Sequence, residues 1–221
     1  MNIKKTADLL INFAIKRLAE ILGITVLIAG ILLLLALTSY SPDDPNFIFP
    51  EGTEIKNLLG FNGSFISDLF FQSIGLIAYL LSFTFIITGF NIFKGKEFFL
   101  IIENTFFGIL YSVFGALFLT YFYSEDFTLY INGNGGFVGN YLDQIFLNSL
   151  IRINESISYY ILILLVSILF LKSINFNLKN FYKNIKKIFN FFSNNKTKNY
   201  TNKSEIINEY IPQDQIKNLI Q

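Results

Sequence analysis

The residues that could do chemistry here are carboxylates, because the 221-residue sequence contains no His and no Cys. That removes thiol nucleophiles, disulfides, haem ligation by His and the usual zinc sites. Acid groups alone could hold Mg²⁺ or Ca²⁺, but nothing in the sequence suggests such a site. No glycine-rich loop runs into Gly-Lys-Ser/Thr, so a Walker-type nucleotide site is absent. Gly133, Gly135, Gly136 and Gly139 superficially look like a dinucleotide loop. They follow no buried strand, and Asn132-Gly133-Asn134-Gly135-Gly136 reads as a flexible turn. No catalytic residue, cofactor or metal is expected. The adjacent acids Asp43 and Asp44 lie between Pro42 and Pro45, directly after an uncharged apolar run at 21–37. Proline lacks the amide donor and disfavours helix in the residue before it. Carboxylates do not enter hydrocarbon cheaply. The chain therefore leaves a bilayer at this junction.

The elements that must position these groups are membrane helices. Hydrophobic residues make up 52% of the chain and charged residues only 15%, against about 25% charged in soluble domains. The uncharged runs are 21–42, 69–93, 104–124 and 156–171. A hydrocarbon core about 30 Å thick needs roughly 20 helical residues. The first three runs suffice alone. The fourth needs its flanks, with Lys172 snorkelling to one interface and Tyr159 and Tyr160 at the other. The expected architecture is all-α and integral to the membrane, with four transmembrane helices at about 18–40, 69–93, 102–124 and 155–172. Residues 1–17 form the N-terminal segment, 18–172 the membrane domain and 173–221 the tail. The net charge of +1 offers no bulk electrostatic case for nucleic-acid binding.

Cations set the orientation. Fifteen Lys and Arg fall in the N-terminal segment, the loop after the second span and the region from Lys172 onward, against Lys56 and Arg152 in the other two loops. Both termini are expected in the cytoplasm, which requires an even number of spans. The stretch 137–150 alternates apolar and polar residues at helical spacing and is expected to form an amphipathic helix in the second outer loop. In the tail, Phe176, Leu178, Phe181, Tyr182, Ile185, Ile188, Phe189 and Phe192 among lysines suit a basic amphipathic segment on the inner leaflet. Asp68, Gln72, Asn91, Glu20 and Glu103 read as caps near span ends. Gly108, Ser112 and Ala116 fall four apart, a small-residue ridge that lets helices approach closely. Such a ridge serves packing inside the four-helix unit or between subunits. Self-association through it is the expectation taken forward.

The junction carries a family resemblance. Leu35-Ala36-Leu37-Thr38-Ser39-Tyr40-Ser41-Pro42-Asp43-Asp44-Pro45-Asn46-Phe47 resembles the Tyr-Ser-Pro-x-Asp-Pro exit of the FtsK/SpoIIIE DNA translocases. Asn57-Leu58-Leu59-Gly60, Gly63, Asp68, Gly75 and Tyr79 are similar to the pattern that follows it there. Gly135-Gly136-Phe137-Val138-Gly139 looks like the family's Gly-Gly-x-x-Gly before its last span. The match covers about residues 20 to 172. It implies the N-terminal four-helix membrane domain of that family: an inner-membrane anchor for a cytoplasmic hexameric ATPase that pumps DNA at the closing septum. It also implies contacts with division proteins, with further copies and with the lipid bilayer. DNA would be touched only through the motor domain, which this sequence lacks. The chain is expected to be either the membrane part of a longer protein or a stand-alone relative, and the polar end of the tail reads as a linker cut short. A small transport or channel subunit is the alternative. Clustered intramembrane charge or broken helices would favour it, and the sequence displays neither.

Overall fold

The computed structural model describes residues 3–45, 54–95, 97–124 and 132–177, and beyond these residues 179, 181–183, 185–187 and 190. The described residues form helices and no strands. In chain order these are α1 (Ile3–Thr38), α2 (Gly60–Ile74), a 3₁₀ turn (Gly75–Ile77), α3 (Ala78–Phe93), α4 (Leu100–Phe122), α5 (Gly136–Asp143), α6 (Phe146–Ile153) and α7 (Glu155–Ser173). Among the described residues, four stretches are long and apolar enough to cross a membrane: Asp8–Thr38, Gly60–Phe93, Leu100–Phe122 and Glu155–Ser173.

Each span packs antiparallel on its neighbour. Gly23 and Gly30 of α1 meet the backbone of α3 at Phe93 and Ile86, and Gly89 of α3 meets Leu27 in return. A Cβ at any of the three would come within 2.7 Å of backbone, so these glycines set the spacing of α1 and α3. Small residues at a contact are the usual basis of close helix packing in lipid, where burial adds no hydrophobic drive. Thr84 and Thr88 of α3 meet Tyr111 and Asn104 of α4. Phe118 of α4 packs at a tilt on Tyr159 of α7, and Tyr111 meets Phe170 edge to face. The described parts of the loops at 39–59 and 123–154 therefore share one end of the bundle. The start of α1, the 94–99 loop and the end of α7 share the other.

Several boundaries differ from the sequence expectation. Helix α1 runs unbroken through Lys16 and Arg17, whose guanidinium pairs with Glu20. Nothing between Ile3 and Gly23 is a helix breaker, so the N-terminal segment simply continues the first span. The second span begins at Gly60 rather than near 69, and the 3₁₀ turn at Gly75 breaks it. The single amphipathic helix expected at 137–150 is two, α5 and α6, separated where Ile145 turns extended, at φ −94° and ψ −179°. Helix α7 starts on a side-chain cap, with Asn154 Oδ1 accepting from Ile157 N at 3.1 Å. Asn175, in the left-handed region at φ 52°, ends it.

The tail from Asn177 is a separate compact unit. Its described positions from 179 to 190 are helical and exposed, Phe181, Tyr182 and Ile185 together with Lys179, Lys183, Lys186 and Lys187. Leu178, Ile188, Phe189 and Phe192 of the expected amphipathic segment lie outside the described residues.

Candidate functional site at the loop end of the helices

The physical problem at this end is the terminus of α1. The last carbonyls of a helix have no partner within it, and in or near hydrocarbon each unpaired one costs several kcal/mol. Here side chains, both local and from later segments, answer them. Leu35 O accepts from Ser39 Oγ at 2.7 Å and from Thr38 Oγ1 at 3.1 Å. Ala36 O accepts from Asn57 Nδ2 at 2.9 Å, and Leu37 O from the Tyr79 hydroxyl at 3.0 Å.

Asn57 is the centre of this arrangement. It is 5% exposed. Its Nδ2 reaches Ala36 O and Ser39 O, and its Oδ1 accepts from Leu59 N at 3.1 Å. Asp44, 1% exposed, closes the loop in front of it. One carboxylate oxygen accepts from Lys56 N at 2.8 Å and the other from Asn57 N at 2.9 Å. Two backbone amides thus hold one buried carboxylate, a charge-assisted arrangement. The turn that presents Asp44 runs from Ser41 through Pro42 to Pro45. Ser41 O accepts from Asp44 N, and Pro45 O accepts from Ser64 Oγ at 2.9 Å on α2. Gly60, at φ +64°, begins α2 three residues after Asn57.

A second chain of bonds links α1 to the far loop. The Tyr40 hydroxyl donates to Asp68 Oδ1 at 3.2 Å, and Gln72 Nε2 donates to the same oxygen at 3.3 Å. Burial, followed by the Asp68 carboxylate, pushes the Tyr40 hydroxyl up to about 12. Gln72 then holds Asn132 at both its backbone N and its side chain. Asn134 O accepts from Leu76 N at 2.9 Å, and Asn134 Nδ2 donates to Tyr123 O. Asn140 Nδ2 returns to Asn132 O at 2.9 Å.

The glycines explain how close these segments lie. Gly75 and Gly136 both have φ +65°, and a Cβ on Gly75 would overlap the Asn134 carbonyl. One on Gly136 would lie 2.7 Å from Gly75 N. Gly135 and Gly139 sit against Ala116 O and Thr120 Oγ1 of α4. The glycine-rich segment is therefore a seat for backbone against backbone.

Every described residue of the sequence motif thus lies at this one end, and the network joins α1, α2, the 3₁₀ turn, α4 and α5. Asn46 and Phe47 lie outside the described residues. Asp68 and Gln72, expected as interfacial caps, instead bridge two loops. Gln72, Asn132 and Asn134 join the network without having been singled out for it. Their signal is polar residues clustered where a span should be ending. Sequence reasoning also missed a buried polar layer nearer the other end. Thr84 bonds both the Tyr111 hydroxyl at 2.9 Å and Ser173 Oγ at 3.0 Å. Asn104 donates to Thr88 Oγ1 at 2.7 Å and accepts from Asn175. Thr84 and Thr88 at i, i+4 are a readable stripe on α3, but hydroxyls in apolar runs carry no hydropathy penalty large enough to flag them.

The ridge of Gly108, Ser112 and Ala116 is covered within this chain. Ser112 is 5% and Ala116 0% exposed. Leu81 covers Gly108, and Gly135 and Gly139 cover Ala116. These residues pack this chain on itself, because α4 is the helix against which α3, α5 and α7 all close.

Comparison with known proteins agrees with this geometry. A family model described as the 4TM region of DNA translocase FtsK/SpoIIIE matches residues 15–186. The DNA translocase FtsK of Azospirillum brasilense is 30% identical over 141 residues, 60% of this chain and 22% of that protein. The DNA translocase FtsK of Caulobacter vibrioides is 37% identical over 71 residues, 32% of this chain and 9% of that protein. The chain spans less than a quarter of the length of these relatives, and no solved structure matches it. With its motif residues gathered into one clasp and the family match running across all four spans, the chain belongs to the four-transmembrane family of the FtsK/SpoIIIE DNA translocases.

Proposed function

We propose that this chain is the membrane anchor and assembly module of a septal DNA translocase, acting in cell division and chromosome segregation. It sits in the bacterial inner membrane with both termini in the cytoplasm. DNA is handled only by a motor domain that these residues do not contain. Its partners are the bilayer, further copies of itself (a hexamer in a full-length protein) and membrane proteins of the division site. One observation carries the reading. The motif that resembles the translocase family is the same set of residues that builds the clasp, so what resembles the family is structural rather than incidental. Three features support an anchor over a transporter. The described spans meet through hydroxyls, amides and small residues. The second span's break at Gly75 is filled by the chain's own Asn134. The carboxylates of the clasp hold backbone amides or a tyrosine. Self-association uses surfaces other than the Gly108, Ser112 and Ala116 ridge, which the chain itself covers.

A fluorescent fusion in dividing cells tests this. The chain should concentrate at the division site, and an Asn57→Ala, Gly75→Ala double variant should lose that enrichment. An unaltered chain spread evenly around the membrane in every dividing cell would overturn the proposal.

A further inference from the structure

A cleft of about 670 Å³ opens between the last turn of α4, the end of α5, α6 and the first turn of α7. Thr120, Tyr121, Asp143, Asn148, Arg152 and Glu155 line it, so one cation and two carboxylates share a polar space beside the spans. The Tyr121 hydroxyl donates to Glu155 Oε1 at 2.9 Å. Arg152 Nε donates to Asn148 Oδ1 at 2.7 Å, which fixes the guanidinium plane beside Tyr121. Arg152 forms no ion pair among the described residues. Asp143 Oδ1 and Thr120 Oγ1 are shielded from solvent and meet no hydrogen-bond partner among the described residues. A buried oxygen without a donor is destabilising, so the cleft is built around a missing donor.

The depth of the cleft is set by its aromatic surroundings. Phe122, Tyr123, Tyr159 and Tyr160 cluster at the same level, with the Tyr123 and Tyr159 hydroxyls 2.7 Å apart. Tyrosines gather where hydrocarbon gives way to headgroups. A ligand here must offer an anion to Arg152 and an N–H-bearing cation to the acids. A guanidinium suits phosphate, and a primary ammonium carries three donors. A divalent metal would bring a second positive charge against Arg152.

We propose that this cleft seats the headgroup of an aminoalkyl phospholipid, the phosphate on Arg152 and the primary ammonium between Asp143 and Glu155. A trimethylammonium headgroup has no N–H and leaves Asp143 Oδ1 unanswered. A purely anionic headgroup meets Arg152 but is opposed by the two carboxylates.

The test uses the whole chain in nanodiscs of equal phosphatidylethanolamine, phosphatidylcholine and phosphatidylglycerol, with retained lipids counted by native mass spectrometry. Phosphatidylethanolamine should be retained over phosphatidylcholine by about tenfold, the scale of one hydrogen bond to a charged group. Arg152→Gln and Glu155→Gln should each reduce that preference severalfold. Both positions are exposed, and unchanged thermal unfolding shows that the variants fold. Equal retention of the three lipids, or a preference that survives in both variants, would sink the proposal. Soluble phosphoethanolamine has the same chemistry. If it binds with the same dependence on Arg152 and Glu155 while the lipid is not retained, the lipid assignment is wrong.

Discussion

At the scale of single residues, the clasp depends on groups whose charge state and donor count are fixed. Asp44 accepts two backbone amides through both oxygens while almost fully buried. Asp44→Asn would turn an NH₂ group toward one of those amides, donor against donor. A loss of about 1–3 kcal/mol follows, read as a lowered unfolding midpoint in detergent; an unchanged midpoint would mean the carboxylate is not what holds the loop. Tyr40 gives a pH signature. Its hydroxyl is raised from 10 to about 12, first by burial and then by Asp68. The folded state therefore keeps a proton that the unfolded chain releases. That contribution is complete below pH 10 and is lost as pH rises through about 12. Between these values Tyr40→Phe should lose less stability than the unaltered chain. Parallel pH profiles for the two proteins would contradict it. The sequence made the exit at Pro42 legible through its prolines and acids. It did not show that Asp44 and Tyr40 face partners 13 and 28 residues away, because hydrogen-bond pairing over such separations leaves no local pattern.

At the scale of elements, glycine positions separate conformation from contact. Gly60 and Gly75 share nearly the same backbone angle, φ +64° and +65°. Gly60 has open space around its Cβ position, whereas Gly75 has the Asn134 carbonyl in it. Gly60→Ala should therefore carry only the left-handed strain, about 1–2 kcal/mol. Gly75→Ala adds a backbone collision that must part the 3₁₀ turn from the 132–136 loop. The expected order of thermal stability in detergent is unaltered chain, Gly60→Ala, then Gly75→Ala well below. The reverse order would refute the contact. Ala116→Leu belongs to the same class. It should abolish folding, rather than merely dissociate copies, because Ala116 lies under Gly135 and Gly139. A folded Ala116→Leu monomer would restore the ridge as an interface between copies. Hydropathy made the four spans readable, since roughly 20 apolar residues announce themselves. The true start of the second span was not readable. Ser64, Ser67 and Asp68 of α2 are polar but buried against the preceding loop, so composition placed them outside the membrane helix. The break between α5 and α6 was equally hidden, because no proline or glycine marks Gln144 and Ile145.

At the scale of the whole molecule, the antiparallel packing ties every loop to one of two ends, so one labelling experiment orients all of them. The 36 residues of α1 extend roughly 54 Å, well beyond a hydrocarbon core of about 30 Å. The first span therefore reaches out of the membrane at one end, and its Lys16 and Arg17 mark which end that is. Fifteen of the 17 Lys and Arg fall at that end or in the tail, and cations are retained on the cytoplasmic side. The chain contains no Cys, so a single introduced thiol reports without background. Glu54→Cys lies at the clasp end and Glu97→Cys in the 94–99 loop, both at exposed positions. Each replaces an acid, which leaves the cation bias that sets orientation intact. An impermeant thiol reagent added to intact spheroplasts should label Glu54→Cys. It should reach Glu97→Cys only after the membrane is opened. Labelling of Glu97→Cys alone would invert the topology and put the clasp in the cytoplasm. Labelling of both from outside would mean that the 94–99 loop and the clasp lie on one side, which four antiparallel crossings forbid.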